Sequence, residues 1–145
     1  MRPFWLIVLA TLLGGTLPAA ADEIALSLVH GHSRIDIPAS AITSIEAYAT
    51  ITFVIKETQE RRDYPHPRVE LCYTPEIQTQ ICQLTRRIVE LPMILVVDCE
   101  PVSMPVVREA LCGPCLQISA NDLVEAKALA QRLRKGSNRR CAPTS

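Results

Sequence analysis

The clearest chemistry in this sequence lies in Cys112-Gly113-Pro114-Cys115, two thiols separated by two residues. Such a pair can act as a redox dithiol, with Cys112 as a low-pKa thiolate and Cys115 resolving the mixed disulfide. Activation of that kind needs the first thiol at the opening of a helix, where the dipole favours the thiolate. Here Leu111 precedes the motif and LQIS, a strand sequence, follows it, so the source of activation is missing. Both cysteines are therefore read as structural disulfide partners, with a thiol–disulfide oxidoreductase as the alternative.

The other groupings carry less. His30, His32 and His66 are the three histidines. An H-x-H pair with a third ring could hold a soft or borderline metal. All three lie in turn or loop sequence, where solvated rings are the simpler account, so neither a metal nor another cofactor is expected. Asp98 and Glu100 form a carboxylate pair at a turn, with no nucleophile, base and orienter gathered around them. Neither a Gly-rich phosphate loop nor a Ser-His-Asp grouping is present. Arg61, Arg62 and Arg68 stand beside Glu57, Glu60 and Asp63 and read as mixed solvated surface. The sequence thus offers no catalytic set.

The elements that must position these residues belong to a chain of 145 residues with 15 basic and 15 acidic side chains. That length suits one domain, which would bury roughly two-thirds of its unfolded surface. Zero net charge argues against a nucleic-acid-binding surface. Hydrophobic content of 48% argues against disorder, and aromatic content of 4% against an aromatic-lined pocket. Arg2, the apolar run Phe4 to Leu13 and the small residues Ala19-Ala20-Ala21 read as a signal peptide over residues 1–21. The run is short for a transmembrane helix, and no later stretch could span a bilayer. An exported domain from Asp22, periplasmic or extracellular, is expected. It keeps all six cysteines: Cys72, Cys82, Cys99, Cys112, Cys115 and Cys141. An even number in an exported chain most simply means disulfides throughout.

Hydrophobic periodicity places the elements. Residues 24–29 alternate, HGHS turns, and Arg34 to Ile37 returns. Ile45, Ala47, Ala49, Ile51, Phe53 and Ile55 form one face of a strand. Thr58 to Pro67, polar and with two prolines, reads as an exposed loop. Val69, Leu71 and Tyr73 alternate, and Thr74, Pro75 and Glu76 open a helix with the stripe Ile77, Ile81, Leu84, Ile88, Leu91. MILVV at 93–97 reads as a central strand, Val102 to Met104 as its return, Pro105 to Gly113 as irregular, and Leu116 to Ile118 as a last strand. Asp122 and Glu125 form a capping box before the stripe Leu123, Ala126, Leu129, Ala130, Leu133, which Gly136 ends. Residues 22–136 then form one domain, and 137–145 a flexible tail tied down where Cys141 bonds. The economical architecture is two-layer α+β, ferredoxin-like, with a largely antiparallel sheet and two helices on one face.

Geometry prunes the 15 connectivities open to six cysteines. Cys82 lies about 12 Å along the helix that starts beside Cys72, which disfavours a bond between them. Cys99 can meet Cys112 or Cys115, and Cys141 can meet Cys72 or Cys82.

The ordered series from Ile42 to Gly136 resembles a known family. It comprises VELCYTPEIQTQICQLT ending in Leu84 and Thr85, MILVVD closing on Asp98, and VSMP with Ser103 and Pro105. Gly113 before a short strand and NDLVEAKALAQRLRKG with Leu129, Ala130, Leu133, Arg134 and Gly136 complete it. It is similar to the periplasmic head subdomain of SecD and SecDF, auxiliary subunits of the bacterial protein translocase. The resemblance implies that fold, an envelope location and a non-catalytic role binding a polypeptide or envelope protein, linked to protein export. Three positions depart from the family: Cys99 replaces the glycine of an Asp-Gly turn, Cys112 replaces one glycine of a pair, and Glu90-Leu91 replaces Gly-Lys. The resemblance covers the head and not the membrane domain of those proteins, so a head that stands without it is expected. Extra cysteines at turns are consistent with stapling a subdomain that stands alone.

Overall fold

In the computed structural model, which describes residues 22–137 and Cys141, the chain opens with a hairpin. Strand β1 (Ile24–His30) and strand β2 (Ser33–Pro38) are joined by a two-residue turn in which Gly31 supplies a φ of 56°. Strands β3 (Ile42–Val54) and β4 (Arg61–Tyr73) form a second, longer hairpin. Helix α1 (Pro75–Arg87) follows, then a short hairpin of β5 (Ile94–Val97) and β6 (Glu100–Ser103). Strand β7 (Cys115–Ser119) and helix α2 (Leu123–Lys135) complete the order. The signal sequence over 1–21 and the tail at 138–140 and 142–145 lie outside the described residues.

The α+β class and the antiparallel pairing agree with the sequence pattern, but the strands divide into two sheets rather than one. One sheet has the order β2-β1-β5-β6 and the other β3-β4-β7. The physical reason is the first hairpin. Ser27, Leu28 and Val29 of β1 pair with Val96, Leu95 and Ile94 of β5, which draws the β5–β6 hairpin away from β7.

A second difference concerns Thr58 to Pro67. The turn is confined to 55–60, and from Arg61 the chain is strand despite Pro65 and Pro67. A register shift between Tyr48 and Thr50 sits opposite these prolines, and a bulge is one of the places where a strand tolerates a residue lacking an N–H. The hairpin also outruns the core. Ile45 at its root is 8% exposed, whereas Phe53 near its tip is 53% exposed and rests edge-on against Tyr64.

One core joins both sheets and both helices. Ile77, Ile81, Leu84 and Ile88 bury the stripe of α1, while Leu91, beyond the helix end, is exposed. Ala126, Leu129, Ala130 and Leu133 bury that of α2, which packs on β3, β4 and β1. In β5 burial alternates, with Leu95 and Val97 inside and Ile94 and Val96 half-buried, so the strand is fully covered on one side only. Asp122 caps α2 by accepting from the Glu125 N–H at 2.8 Å, and Glu125 accepts from the Asn121 N–H at 2.7 Å. At the other helix the Thr74 hydroxyl makes no capping bond. Gly136 ends α2 at φ 64°, and a Cβ there would lie 2.9 Å from that of Glu23.

Candidate functional site

The two thiols of Cys112-Gly113-Pro114-Cys115 are bonded apart. Cys115, the first residue of β7, joins Cys72 across the β4–β7 pair, with Cα atoms 3.9 Å apart. Cys112 joins Cys82 on α1, with Cα atoms 4.4 Å apart. Neither sulfur is left as a thiolate, and a strand follows the motif, so the pairing gives the redox alternative no dithiol to work with. The segment is instead a clamped corner. Gln78 donates to the Cys112 carbonyl at 2.7 Å, the Tyr73 N–H to the Pro114 carbonyl at 3.1 Å, and the Tyr73 hydroxyl to the Gly113 carbonyl at 3.3 Å. Burial raises the Tyr73 phenol above its ordinary pKa.

The third bond corrects both remaining pairings expected from the sequence. Cys99 meets Cys141, not Cys112 or Cys115, and Cys141 meets neither Cys72 nor Cys82. Ser137 is the cause. It exchanges backbone bonds with Ile24 at 2.9 and 3.1 Å and donates its hydroxyl to Asp98 at 2.7 Å. The chain leaving α2 is thereby directed to the β5–β6 turn. That turn holds Asp98 at φ 51° and Cys99 at φ 63°, both in the left-handed region that a two-residue hairpin requires.

The remaining sequence candidates do not assemble into a reaction centre. His30 shares a hydrogen bond of 2.7 Å with the Pro92 carbonyl. Glu100 takes an ion pair with Arg132 at 2.9 Å, while Asp98 holds Ser137. Among the described residues, the group with metal-ligand atoms within 4.8 Å is Glu70, Cys72 and Cys115, and its two sulfurs are bonded to each other.

What the fold does build is a groove where the two sheets fail to join. It has a volume of about 480 Å³ and runs between β7 on one side and the end of the β5–β6 hairpin with residues 105–111 on the other. Met93, Leu95, Leu111 and Leu116 give it an apolar lining, and Arg108 and Glu109 bring one charge of each sign. Val106 on its wall is exposed, as are Leu91 and Met104 outside it, Met104 by 65%.

Several motif residues hold this groove open. Ser103 and Pro105 line it, and the Pro105 carbonyl accepts the Met93 N–H at 2.9 Å. Thr85, fully buried on α1, donates its hydroxyl to the Ile81 carbonyl at 2.7 Å and accepts the Leu111 N–H at 2.8 Å. The irregular wall is thus pinned to the helix. Leu84, Leu129, Ala130 and Leu133 are core, and Arg134 donates to the Ile45 carbonyl at 2.6 Å. Glu90 takes φ 68°, in the left-handed region that favours glycine. Sequence reasoning missed the groove. Its signals were the unpatterned run Pro105 to Gly113 and the uncharged strand after it.

A family model described as SecDF, P1 head subdomain, matches residues 51–137. Two solved structures are similar. One, from a study titled "Structure and function of a membrane component SecDF that enhances protein export", aligns at 24% identity and a TM-score of 0.50 over 70% of this chain and 41% of that one. The other, "Crystal structure of SecDF in Super-membrane-facing form", aligns at 22% identity and a TM-score of 0.48 over 70% and 12%. This chain therefore spans less than half the length of either. No curated protein matches it.

Proposed function

The chain belongs to the SecDF P1 head subdomain family, and from that premise we propose that it is a non-catalytic, exported module that binds polypeptide in connection with protein export. The observation that supports this reading most is the apolar groove between β7 and the β5–β6 hairpin, with exposed Val106 on its wall and exposed Met104 beside it. Unfolded chains in transit display the apolar side chains that such a groove would cover. Three disulfides suit an oxidising compartment, and we place the protein in the bacterial periplasm. Residues 1–21 are read as its signal peptide, and N-terminal sequencing of the exported protein should begin at Asp22. Among the described residues no helix is long and apolar enough to cross a membrane.

The test is site-specific photo-crosslinking in cells from Met104 and Val106, with Lys127 on α2 as a control position. Adducts with exported polypeptides are expected from the first two positions above the level at Lys127. Equal yields at all three, in protein shown to be oxidised and folded, would remove the reading.

A further inference from the structure

Strands at sheet edges expose backbone donors and acceptors that either find a partner or are protected. Four strands stand at edges here: β2, β6, β3 and β7. Three carry protection. Arg34 and Asp36 put charge on β2, Pro101 interrupts β6, and Arg134 of α2 occupies the Ile45 carbonyl of β3. Strand β7, with the sequence CLQIS, has neither charge nor proline.

The register identifies which groups of β7 are unspent. The Tyr73 N–H donates to the Pro114 carbonyl at 3.1 Å, and the Ala120 N–H to the Pro67 carbonyl at 2.9 Å. Between them the β4–β7 pairs run from Cys72↔Cys115 to Arg68↔Ser119. Bonded and non-bonded pairs alternate in an antiparallel ladder. Leu116 and Ile118 therefore direct N–H and C=O toward β4, and Cys115, Gln117 and Ser119 direct theirs away from it. Those three residues line the groove, and no hydrogen bond among the described residues takes up their backbone groups.

Donor and acceptor sets repeating every second residue, about 6.6 Å apart, match the backbone of another strand. We infer that β7 is the docking edge for an extended polypeptide segment, which adds to the three-stranded sheet beside Cys115, Gln117 and Ser119. Its side chains then meet the half-buried Leu111 and the exposed Val106 across the gap between the sheets. The inference rests on the polypeptide-binding reading above and specifies how the partner is held: main-chain bonds supply affinity with little dependence on sequence, as a client-binding module needs.

The test uses the oxidised, isotope-labelled exported protein and two probes. One is the peptide acetyl-Lys-Thr-Val-Thr-Val-Thr-Val-Lys-amide, with versions N-methylated along one backbone edge or the other. The other is a reduced, carboxymethylated, permanently unfolded protein. Both probes should slow amide exchange at Cys115, Gln117 and Ser119. One methylated edge should weaken binding about tenfold or more, and the other should be tolerated. Gln117→Pro, which deletes an outward N–H and spares the β4 ladder, should weaken binding similarly while the remaining amide spectrum stays folded. Peptides that bind equally well with either edge methylated would overturn strand addition and leave polypeptide binding standing. So would unchanged binding by Gln117→Pro, or a stable dimer with β7 already protected in the free protein. If neither probe perturbs the groove or β7, the polypeptide-binding reading itself falls.

Discussion

Replacing Thr85 by valine asks whether one buried hydroxyl fixes the wall of the groove. The two side chains have nearly the same shape, so the change removes hydrogen bonding without opening a cavity. In the folded protein the hydroxyl donates to Ile81 at 2.7 Å and accepts from the Leu111 N–H at 2.8 Å. Ile81 keeps its helical acceptor role, so the loss falls on Leu111, whose N–H has no other bond. An orphaned, partly buried donor costs about 1–3 kcal/mol, and the added methyl recovers little of it. The expected destabilisation is about 2 kcal/mol, or a fall in Tm of about 8 °C at roughly 4 °C per kcal/mol for a domain of this size. Guanidinium unfolding with disulfides intact, followed by circular dichroism, measures it. Thr85→Ser keeps the hydroxyl and gives up one methyl, about 1 kcal/mol. The valine variant must therefore be the less stable of the two. If Thr85→Val lies within about 0.5 kcal/mol of the parent, or above Thr85→Ser, the hydroxyl does not hold the wall.

Peptide mapping without reduction should return Cys72–Cys115, Cys82–Cys112 and Cys99–Cys141, and the oxidised protein should not catalyse insulin reduction. A Cys99–Cys112 fragment would contradict the topology. Replacing Cys82 and Cys112 together by alanine, with Cys72–Cys115 still closed around them, should cost about 3 kcal/mol in equilibrium unfolding. Glu90→Gly relieves a φ of 68° at the loss of an exposed ion pair with Arg108, so stability should stay level or rise by about 1 kcal/mol. The Tyr73 phenol is raised by burial, so on ultraviolet titration it should ionise above the ordinary tyrosine value. The unfolded chain then loses its proton first as pH rises, and stability declines above about pH 10. Tyr73→Phe should flatten that decline.

Both helices were legible because their apolar positions recur at helical spacing and their ends carry Thr74-Pro75, Asp122 and Gly136. The root of β3 was legible from period two. What escaped depends on contacts distant in sequence. Two prolines masked β4, because a bulge opposite Tyr48 accommodates them and no local pattern announces it. The gap between sheets follows from β1 pairing with β5, about 70 residues away in the chain. The Cys99–Cys141 bond follows from the Ile24–Ser137 pairing, which joins the two ends of the fold. The groove inherits both of these long-range choices, which is why its residues looked like an unpatterned loop.

The Cys99–Cys141 bond also determines how this domain answers mechanical force. A pull on the chain beyond Cys141 enters the fold at the tight turn after β5, not at the last turn of α2. Helix α2 lies inside the covalent loop that this bond closes, so tension bypasses it. With Cys72–Cys115 closed as well, the shortest covalent path from Cys72 to Cys141 runs back through Cys115 and Cys99, and the bonds together withhold roughly 180 Å of contour length from any extension. Stretched under oxidising conditions, the domain keeps that length in reserve. Reduced, it should lengthen by that further step, with α2 then exposed to the load.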